Sequence, residues 1–323
     1  MGATAAPLII ATSAGQSQLV QALEDGRVSV PGFDCRIVKL TPGDDVLMTH
    51  VFENPSFDVI EMSLSKYVSL TQDGGCPFLG LPVFIARSFR HGDFYIRTDR
   101  GIRTPQDLRG LRVGTGDYRH TAHVWARAML CDEYGVAPQE IDWIVGHREK
   151  PYVAPADPFS PPAGVRLSVA PADRSLSEML RRGEIDALLS PLPPSCWTDG
   201  APGIGKLFED PVQAGVDFHR RTGHFPIIHL IGVRKDVINR FPQLAKDLFA
   251  AFTRSKDLWL SSLSEQDPAS PHLRAAQAVG PDYYAYGTAA PEIRTLNYFL
   301  DQHVRQGLSR KRPDLRDLLL LPE

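Results

Sequence analysis

Short continuous apolar runs alternate with amphipathic ones along most of this chain, and that alternation predicts an α/β protein. Residues 7–11 predict a first strand, 18–25 a helix, 34–40 a second strand, 45–53 a helix and 58–61 a third strand, a βαβαβ opening. After an apolar strand at 78–85 comes another at 93–97, then a short helix at 105–109 with Thr104 as its cap, Pro105 at its first position and Gly110 past its end. The pattern then restarts with a strand at 112–114, a helix at 121–134 closed by Gly135, and a strand at 141–145, so a second α/β lobe is expected. Six prolines between 151 and 171 interrupt every periodicity, which predicts a long surface loop there, either covering a cleft or lying as an excursion on the second lobe. A helix at 176–182 leads through Gly183 into a strand at 185–189, and an apolar run at 225–233 carries the chain back. The stretch 242–320 is mostly helical, most clearly at 245–261 and 291–306, and no segment repeats at a fixed period. The expected division is a discontinuous first lobe of 1–91 and 235–323 and a second lobe of 92–234, with hinge strands near 93–98 and 225–233.

Composition narrows the partners. The 323 residues are 43% hydrophobic and 9% aromatic, enough for two ordinary cores. A net charge of −3, with basic and acidic residues interleaved, argues against nucleic acid and against an anionic membrane, leaving a small molecule as the expected partner. The opening MGATAAPLIIATSAG carries no positively charged leader and only a very short apolar run, so a cytoplasmic location is expected. Cys35, Cys76, Cys131 and Cys196 are widely separated and lack metal-ligand spacing, which predicts reduced thiols rather than a disulfide framework or structural metal.

Candidate chemistry concentrates at strand exits, where parallel α/β sheets bind their ligands. Glu61, Ser63 and Ser65 follow the third strand, and Arg87, Arg90 and His91 follow the strand at 78–85. In the second lobe GTGDYRHT (114–121) forms a turn feeding a helix, whose N–H groups and dipole favour an anion; Thr115, Tyr118, His120 and Thr121 belong to it. His120 and His123 fall three apart, which leaves substrate hydrogen bonding and a metal site with Asp117 both open, the first being preferred and no metal expected. Arg221, in HRRTGHFP (219–226), either completes an anion site or is solvated, and Arg220 is equally suited to a salt bridge. Ser190 and Cys196 flank a proline-rich turn with no visible thiolate-favouring partner.

The pair GIRTPQDLRGLRVGTGD (101–117) and GEIDALLSP (183–191), in that order, resembles the second lobe of the type II periplasmic-binding-protein fold. That resemblance implies a two-lobed fold with a central interlobe cleft. FDVIEMSLSKY (57–67), CPFLGLPVFIARSFRH (76–91), TAHVWARAMLCDEYGV (121–136), SPLPPSCW (190–197), HRRTGHFPIIH (219–229) and YAYG (284–287) are similar to the 4,5-dihydroxyphthalate decarboxylase family. The resemblance implies a cytoplasmic enzyme that removes one carboxylate from a catechol dicarboxylic acid to give protocatechuate, with no organic cofactor. Where the family's pattern is closer to GVPEYQMTAAVW, this chain reads GTGDYRHTAHVW, so Asp117, Arg119, His120 and His123 put the exact ring acid in question.

Such a reaction needs a proton delivered to the ring carbon that bears the leaving carboxylate, together with carboxylate anchors. His91 is the expected proton donor or relay, against a bland role capping the hinge. Glu61 is its expected partner, as base toward a ring hydroxyl or as the group fixing the His91 tautomer, against a bond to a backbone turn. Arg87 and Arg90 are expected carboxylate clamps, one of them with a surface pairing as its alternative. Ser63, Ser65, Thr115, Tyr118, His120, Thr121 and Arg221 complete the expected substrate contacts. The alternative from another class is a cytoplasmic solute-binding protein for a small aromatic carboxylate; a third reading is an enzyme of this fold acting on another ring acid. The apolar run 315–321 is expected to pack either on a neighbouring subunit, giving a homo-oligomer, or on its own lobe.

Overall fold

A computed structural model describes residues 6–41, 51–152, 159–263 and 270–320. Its strands, in chain order, are β1 (Ala6–Ser13), β2 (Phe33–Leu40), β3 (Val59–Ser63), β4 (Phe78–Arg87), β5 (Phe94–Arg97), β6 (Arg112–Thr115), β7 (Asp142–Val145), β8 (Arg166–Val169), β9 (Ala187–Leu189), β10 (Ile204–Lys206) and β11 (Ile227–Arg234). The chain divides into two compact units, one of Met1–Ser88, Ile227–Tyr298 and Arg312–Glu323, the other of Phe89–Pro226 and Phe299–Lys311. Of the helix expected at 45–53 only Val51–Glu53 falls among the described residues; the rest lies outside them.

The first unit is built on a five-stranded sheet of order β2-β1-β3-β11-β4. Its opening β1, β2 and β3 run parallel, as the βαβαβ pattern requires, while β11 inserts antiparallel between β3 and β4. Every residue of β3 is buried, which explains why VIEMS shows no in–out alternation. The register of β11 on β4 jumps between His229, opposite Ala86, and Ile231, opposite Leu81, so β4 bulges around Pro82, a residue that cannot donate to a ladder. The C-terminal apolar run closes on its own unit: Leu318 and Leu319 are buried, and the Leu320 N–H donates to the Gly80 carbonyl at 2.7 Å. Gly80 is required there, because a Cβ would stand 2.7 Å from the Leu318 carbonyl oxygen. Tyr67 ties the same corner, donating to the Leu318 carbonyl at 2.5 Å and accepting from the Gly80 N–H at 2.9 Å.

The second unit carries a six-stranded sheet of order β10-β5-β9-β6-β7-β8. Strands β9, β6, β7 and β8 are parallel, and β5 and β10 extend the sheet antiparallel. Helix Thr121–Tyr134 has the bounds its periodicity predicts, and Gly135 ends it in the left-handed conformation at φ 66°. The stretch 151–171, expected to be loop throughout, contains β8. That correction has a local cause: β8 is a four-residue edge strand paired only to β7, with three of its residues exposed and the fourth half-exposed, so it leaves no buried apolar run. The helix Pro211–Thr222 was likewise not expected; it is capped by Asp210, begins with proline and ends at Gly223 with φ 71°. All four cysteines are free thiols. Among the described residues no helix is long and apolar enough to cross a membrane.

Candidate active site

In the first unit, β1, β3 and β4 are parallel and deliver their carboxyl ends, with the start of antiparallel β11, to one edge of the sheet. Glu61 is fully buried on β3. Ile231 stands opposite it on β11, so His229, two residues away on that strand, lies on the same face as a diagonal neighbour. The two meet: His229 Nδ1 is 2.6 Å from Glu61 Oε1, while Glu61 Oε2 accepts from the Ser13 N–H at 2.7 Å. The carboxylate is thus held at both oxygens, and the imidazole keeps 21% of its side chain exposed. A buried carboxylate that orients a reachable imidazole is an acid–base pair in form. Thr12, at the end of β1, is fully buried and its hydroxyl has no hydrogen-bond partner. Ser63 and Ser65 are both buried, Ser63 as the residue preceding helix Leu64–Gln72 and Ser65 inside its first turn.

Arg87 ends β4 and is also buried, but its guanidinium serves the fold. Nη1 donates to Glu292 Oε1 at 3.2 Å and to the Ala285 carbonyl at 2.9 Å. With the bond from the Gly287 N–H to the Pro82 carbonyl at 2.7 Å, it fastens YAYG to β4. Tyr284 holds φ 53°, the left-handed region that costs a non-glycine residue on the order of 1 kcal/mol. The fastened loop presents Tyr286, whose hydroxyl is buried without a hydrogen-bond partner. Burial pushes that phenol well above its ordinary pKa, with the charges of Tyr284 and Glu61 adding and Arg87 opposing.

In the second unit the expected residues divide. His91 is 1% exposed, with Phe208 and Phe218 at ring separations of 5.0 and 5.8 Å, and neither ring nitrogen has a hydrogen-bond partner. Burial, then the charges of Arg221 and Arg90, lowers its pKa to about 3. Arg90 pairs with Asp93 at 3.0 Å, both nearly buried. Burial pushes Asp93 up to about 6 against the pull of Arg90 and Lys206. Arg221, half exposed, pairs with Glu133 at 2.9 Å.

Around the start of helix Thr121–Tyr134, Thr115 is buried at the end of β6 and its hydroxyl lies 3.3 Å from His123 Nδ1, which also lies 2.9 Å from the Asp117 carbonyl. His120 precedes the helix, its ring 5.2 Å from that of His123, and Thr121 is buried in the first turn. Burial disfavours charge on Asp117, but the Arg119 hydrogen bonds and the charges of His120 and Arg119 hold it down at about 2. That carboxylate is gripped by Arg119 through Nε and Nη2 at 2.9 and 2.6 Å. Among the described residues no three His, Cys, Asp or Glu side chains are grouped to hold a metal ion. Tyr118 points into the core, stacked on Phe159 at 5.4 Å and lying under the Arg127 guanidinium at 3.4 Å.

His229 is the residue that strand-exit reasoning missed. It interrupts the apolar run FPIIHLIGV, and a polar ring in a strand of that kind requires a buried partner. Glu292, the counter-charge of Arg87, lies in an amphipathic helix 205 residues away, beyond the reach of any local pattern.

The comparisons with known proteins accord with this architecture. Solved structures that match over 98% of the chain include the alkanesulfonate-binding protein SsuA from Xanthomonas axonopodis pv. citri (13% identity, 99% of that chain, TM-score 0.57) and the desulfurization enzyme DSZB (16% identity, 96% of that chain, TM-score 0.58). A protein from Candida albicans described as having the generic periplasmic-binding-protein fold matches at 10% identity over 96% of its length, with a TM-score of 0.55. The chain therefore has the periplasmic-binding-protein fold, which hosts both binding proteins and enzymes and does not choose between them. No family model matches the sequence. Two curated relatives do: a 4,5-dihydroxyphthalate decarboxylase of Comamonas testosteroni, 36% identical over 94% of each chain, and one of Pseudomonas putida, 35% identical over 67% of this chain and 83% of the relative. The chain belongs to the 4,5-dihydroxyphthalate decarboxylase family.

Proposed function

We propose that this protein is a carboxy-lyase that converts 4,5-dihydroxyphthalate, or a close analogue, to protocatechuate and CO2 without an organic cofactor. The observation that carries the reading is the 36% identity to a 4,5-dihydroxyphthalate decarboxylase along 94% of both chains. The Glu61–His229 pair supplies the acid–base chemistry the reaction needs. In the proposed step the protonated imidazole gives its proton to the ring carbon bearing one carboxylate, while the ionised hydroxyl para to it becomes the carbonyl of a dearomatised intermediate. The bond to the carboxylate then breaks, CO2 leaves, and the bonding pair returns to the ring as the para oxygen regains its phenolate form. One proton is consumed, and the exposed side of His229 takes its replacement from water.

Glu61 orients Nδ1 and balances the charge of the protonated ring through the 2.6 Å bond. The acid expected at His91 is thereby assigned to His229: a ring among phenylalanines, neutral above a pKa of about 3, suits proton delivery at neutral pH poorly. Ser63 and Ser65, buried at the same sheet edge as the dyad, are the proposed substrate contacts of the first unit. Arg87 acts in this proposal through the YAYG loop it fastens. The reading carries with it a cytoplasmic location and a role in phthalate degradation, which fractionation and growth on phthalate of a strain lacking the protein would test.

The deciding experiment mixes purified, metal-stripped protein with 4,5-dihydroxyphthalate and follows CO2 and aromatic product by chromatography. Protocatechuate is expected at a catalytic rate. A ligand that raises the melting temperature and is never consumed, with or without restored divalent ions, overturns the reading in favour of a binding protein.

A further inference from the structure

Within the second unit, and sharing no residue with the Glu61–His229 pair, lies a cavity of about 130 Å³. Its lining includes Tyr118, Arg127, Asp132, Gln302, Arg305 and Gln306. Arg127 is fully buried, and its guanidinium has been given neutral partners only: Nε donates to Gln306 Oε1 at 2.8 Å and Nη2 to the Tyr118 carbonyl at 2.6 Å. The third nitrogen, Nη1, has no hydrogen-bond partner, and neither has the Tyr118 hydroxyl, although both are buried. The guanidinium carbon stands 3.4 Å above the Tyr118 ring and 5.9 Å from that of Trp143, so aromatic faces hold the group in place. Burial brings the Arg127 pKa down to about 10, which leaves it charged at neutral pH.

The other ionic groups on the lining nearly cancel. Asp132 accepts from Gln302 Nε2 at 2.8 Å and lies 3.8 Å from Arg305 Nη1, with 32% of the aspartate and 66% of the arginine side chain exposed. Two arginines and one aspartate leave one positive charge, and it sits at the buried end. Buried charges ordinarily have a counter-charge or enough hydrogen bonds, and Arg127 has both N–H groups of Nη1 unused beside an unused hydroxyl. A space of about 150 Å³ accommodates a ring the size of benzene, so this one has room for a few heavy atoms and too little for a catechol dicarboxylate.

We propose that this cavity is a second ligand site, for a small monovalent oxyanion of the formate and bicarbonate type. One anion oxygen takes the Arg127 Nη1 hydrogen bond and another takes the Tyr118 hydroxyl, with the planar guanidinium matching a planar anion. Bicarbonate and short carboxylates share this chemistry, and the experiment separates them.

The full-length protein is titrated with ¹³C-formate and with ¹³C-bicarbonate, read by line broadening, and is melted in the sodium salts of each against sodium chloride at equal ionic strength. Formate or bicarbonate at ten times its Kd is expected to raise the melting temperature by about 2 °C, and the stronger of the two identifies the source. Tyr118→Phe, which keeps the ring and loses one hydrogen bond, is expected to bind about five-fold more weakly. Asp132→Asn, which removes the one negative charge from the lining, is expected to bind several-fold more tightly. Arg127→Met is expected to lose binding, and if it does not fold, the opposite shifts of the other two variants still decide. Protection by chloride as large as by either oxyanion, no broadening of either label, or equal affinities in wild type, Tyr118→Phe and Asp132→Asn would each overturn the proposal.

Discussion

Two histidines, one in each unit, show how little position alone decides. His91 follows a long apolar strand and two arginines, Arg87 and Arg90, and His229 sits inside another such strand with no charged neighbour in sequence. In the structure the first has aromatic neighbours and two unpartnered ring nitrogens, and the second has a buried carboxylate at 2.6 Å. Proton transfer needs a group that can be charged and reached, and only the second environment supplies a counter-charge together with exposure. A strand exit marks where a site can be; the pairing across strands marks which ring can do chemistry there.

The largest effect that would break this comparison is kinetic. Glu61→Gln preserves the bond from the Ser13 N–H but removes the charge that faces His229, so kcat is expected to fall by about 10²–10⁴ with substrate affinity kept within a few-fold. His229→Gln should fall as far, and the double variant little further, because the two act as one unit. Single-turnover formation of protocatechuate beside equilibrium binding makes the measurement. A full loss in His91→Phe with normal rates in Glu61→Gln would return the acid role to His91.

Next in size is the support beneath the site. Arg87 and Glu292 are both buried, with side-chain exposures of 1% and 2%, so Arg87→Met strands a carboxylate and should cost about 3–5 kcal/mol in chemical denaturation. Replacing both at once, Arg87→Met with Glu292→Leu, should recover most of that loss. If Arg87→Met instead left stability unchanged and abolished substrate binding, the arginine would be a carboxylate clamp, the role its residue type suggests.

His91→Phe carries the pH test. The His91 pKa falls from 6.5 to about 3 on folding, so the folded state binds fewer protons than the unfolded one in that window. The stabilisation is present above 6.5 and is lost as the pH falls through the window toward 3. Between pH 7 and pH 5 the loss traceable to His91 is about 2 kcal/mol. His91→Phe should therefore be less acid-sensitive by that amount over the same interval, with turnover within a few-fold of wild type. An unchanged pH dependence of the unfolding free energy would show that the ring is not buried neutral.

What was legible beforehand follows the same physics. Helix Thr121–Tyr134 announces both ends, by a turn before it and Gly135 after it, and the buried, mostly apolar β3 and β4 need no partner to be recognised. Strand β10 has three half-exposed residues and pairs through one edge, and β8 emerges from a proline-rich stretch, so their existence depends on the strands beside them. Glu61 was legible as a polar residue at a strand exit, whereas its bond to His229 spans 168 residues and depends on an antiparallel register that no local period encodes. The arginines were legible as anion binders by type; their partners Glu292, Asp93 and Glu133 are tertiary facts.

The smallest expected effect sharpens the comparison most finely, because it asks whether the chemistry proposed for the first unit extends beyond Glu61 and His229. The Tyr286 hydroxyl is buried with no hydrogen-bond partner, and Glu61 and Arg87 are close enough to move its titration in opposite directions. Removing a buried, unsatisfied hydroxyl breaks no hydrogen bond and relieves its desolvation penalty, so Tyr286→Phe should be as stable as wild type or more so, by up to about 1 kcal/mol. If the phenol serves the substrate, the same variant should lose about five- to ten-fold in kcat/KM, the worth of one hydrogen bond made in the complex. Stability and rate then move in opposite directions, which a merely structural tyrosine cannot produce. Unchanged kcat/KM would confine the chemistry of the first unit to Glu61 and His229 and leave YAYG as a wall.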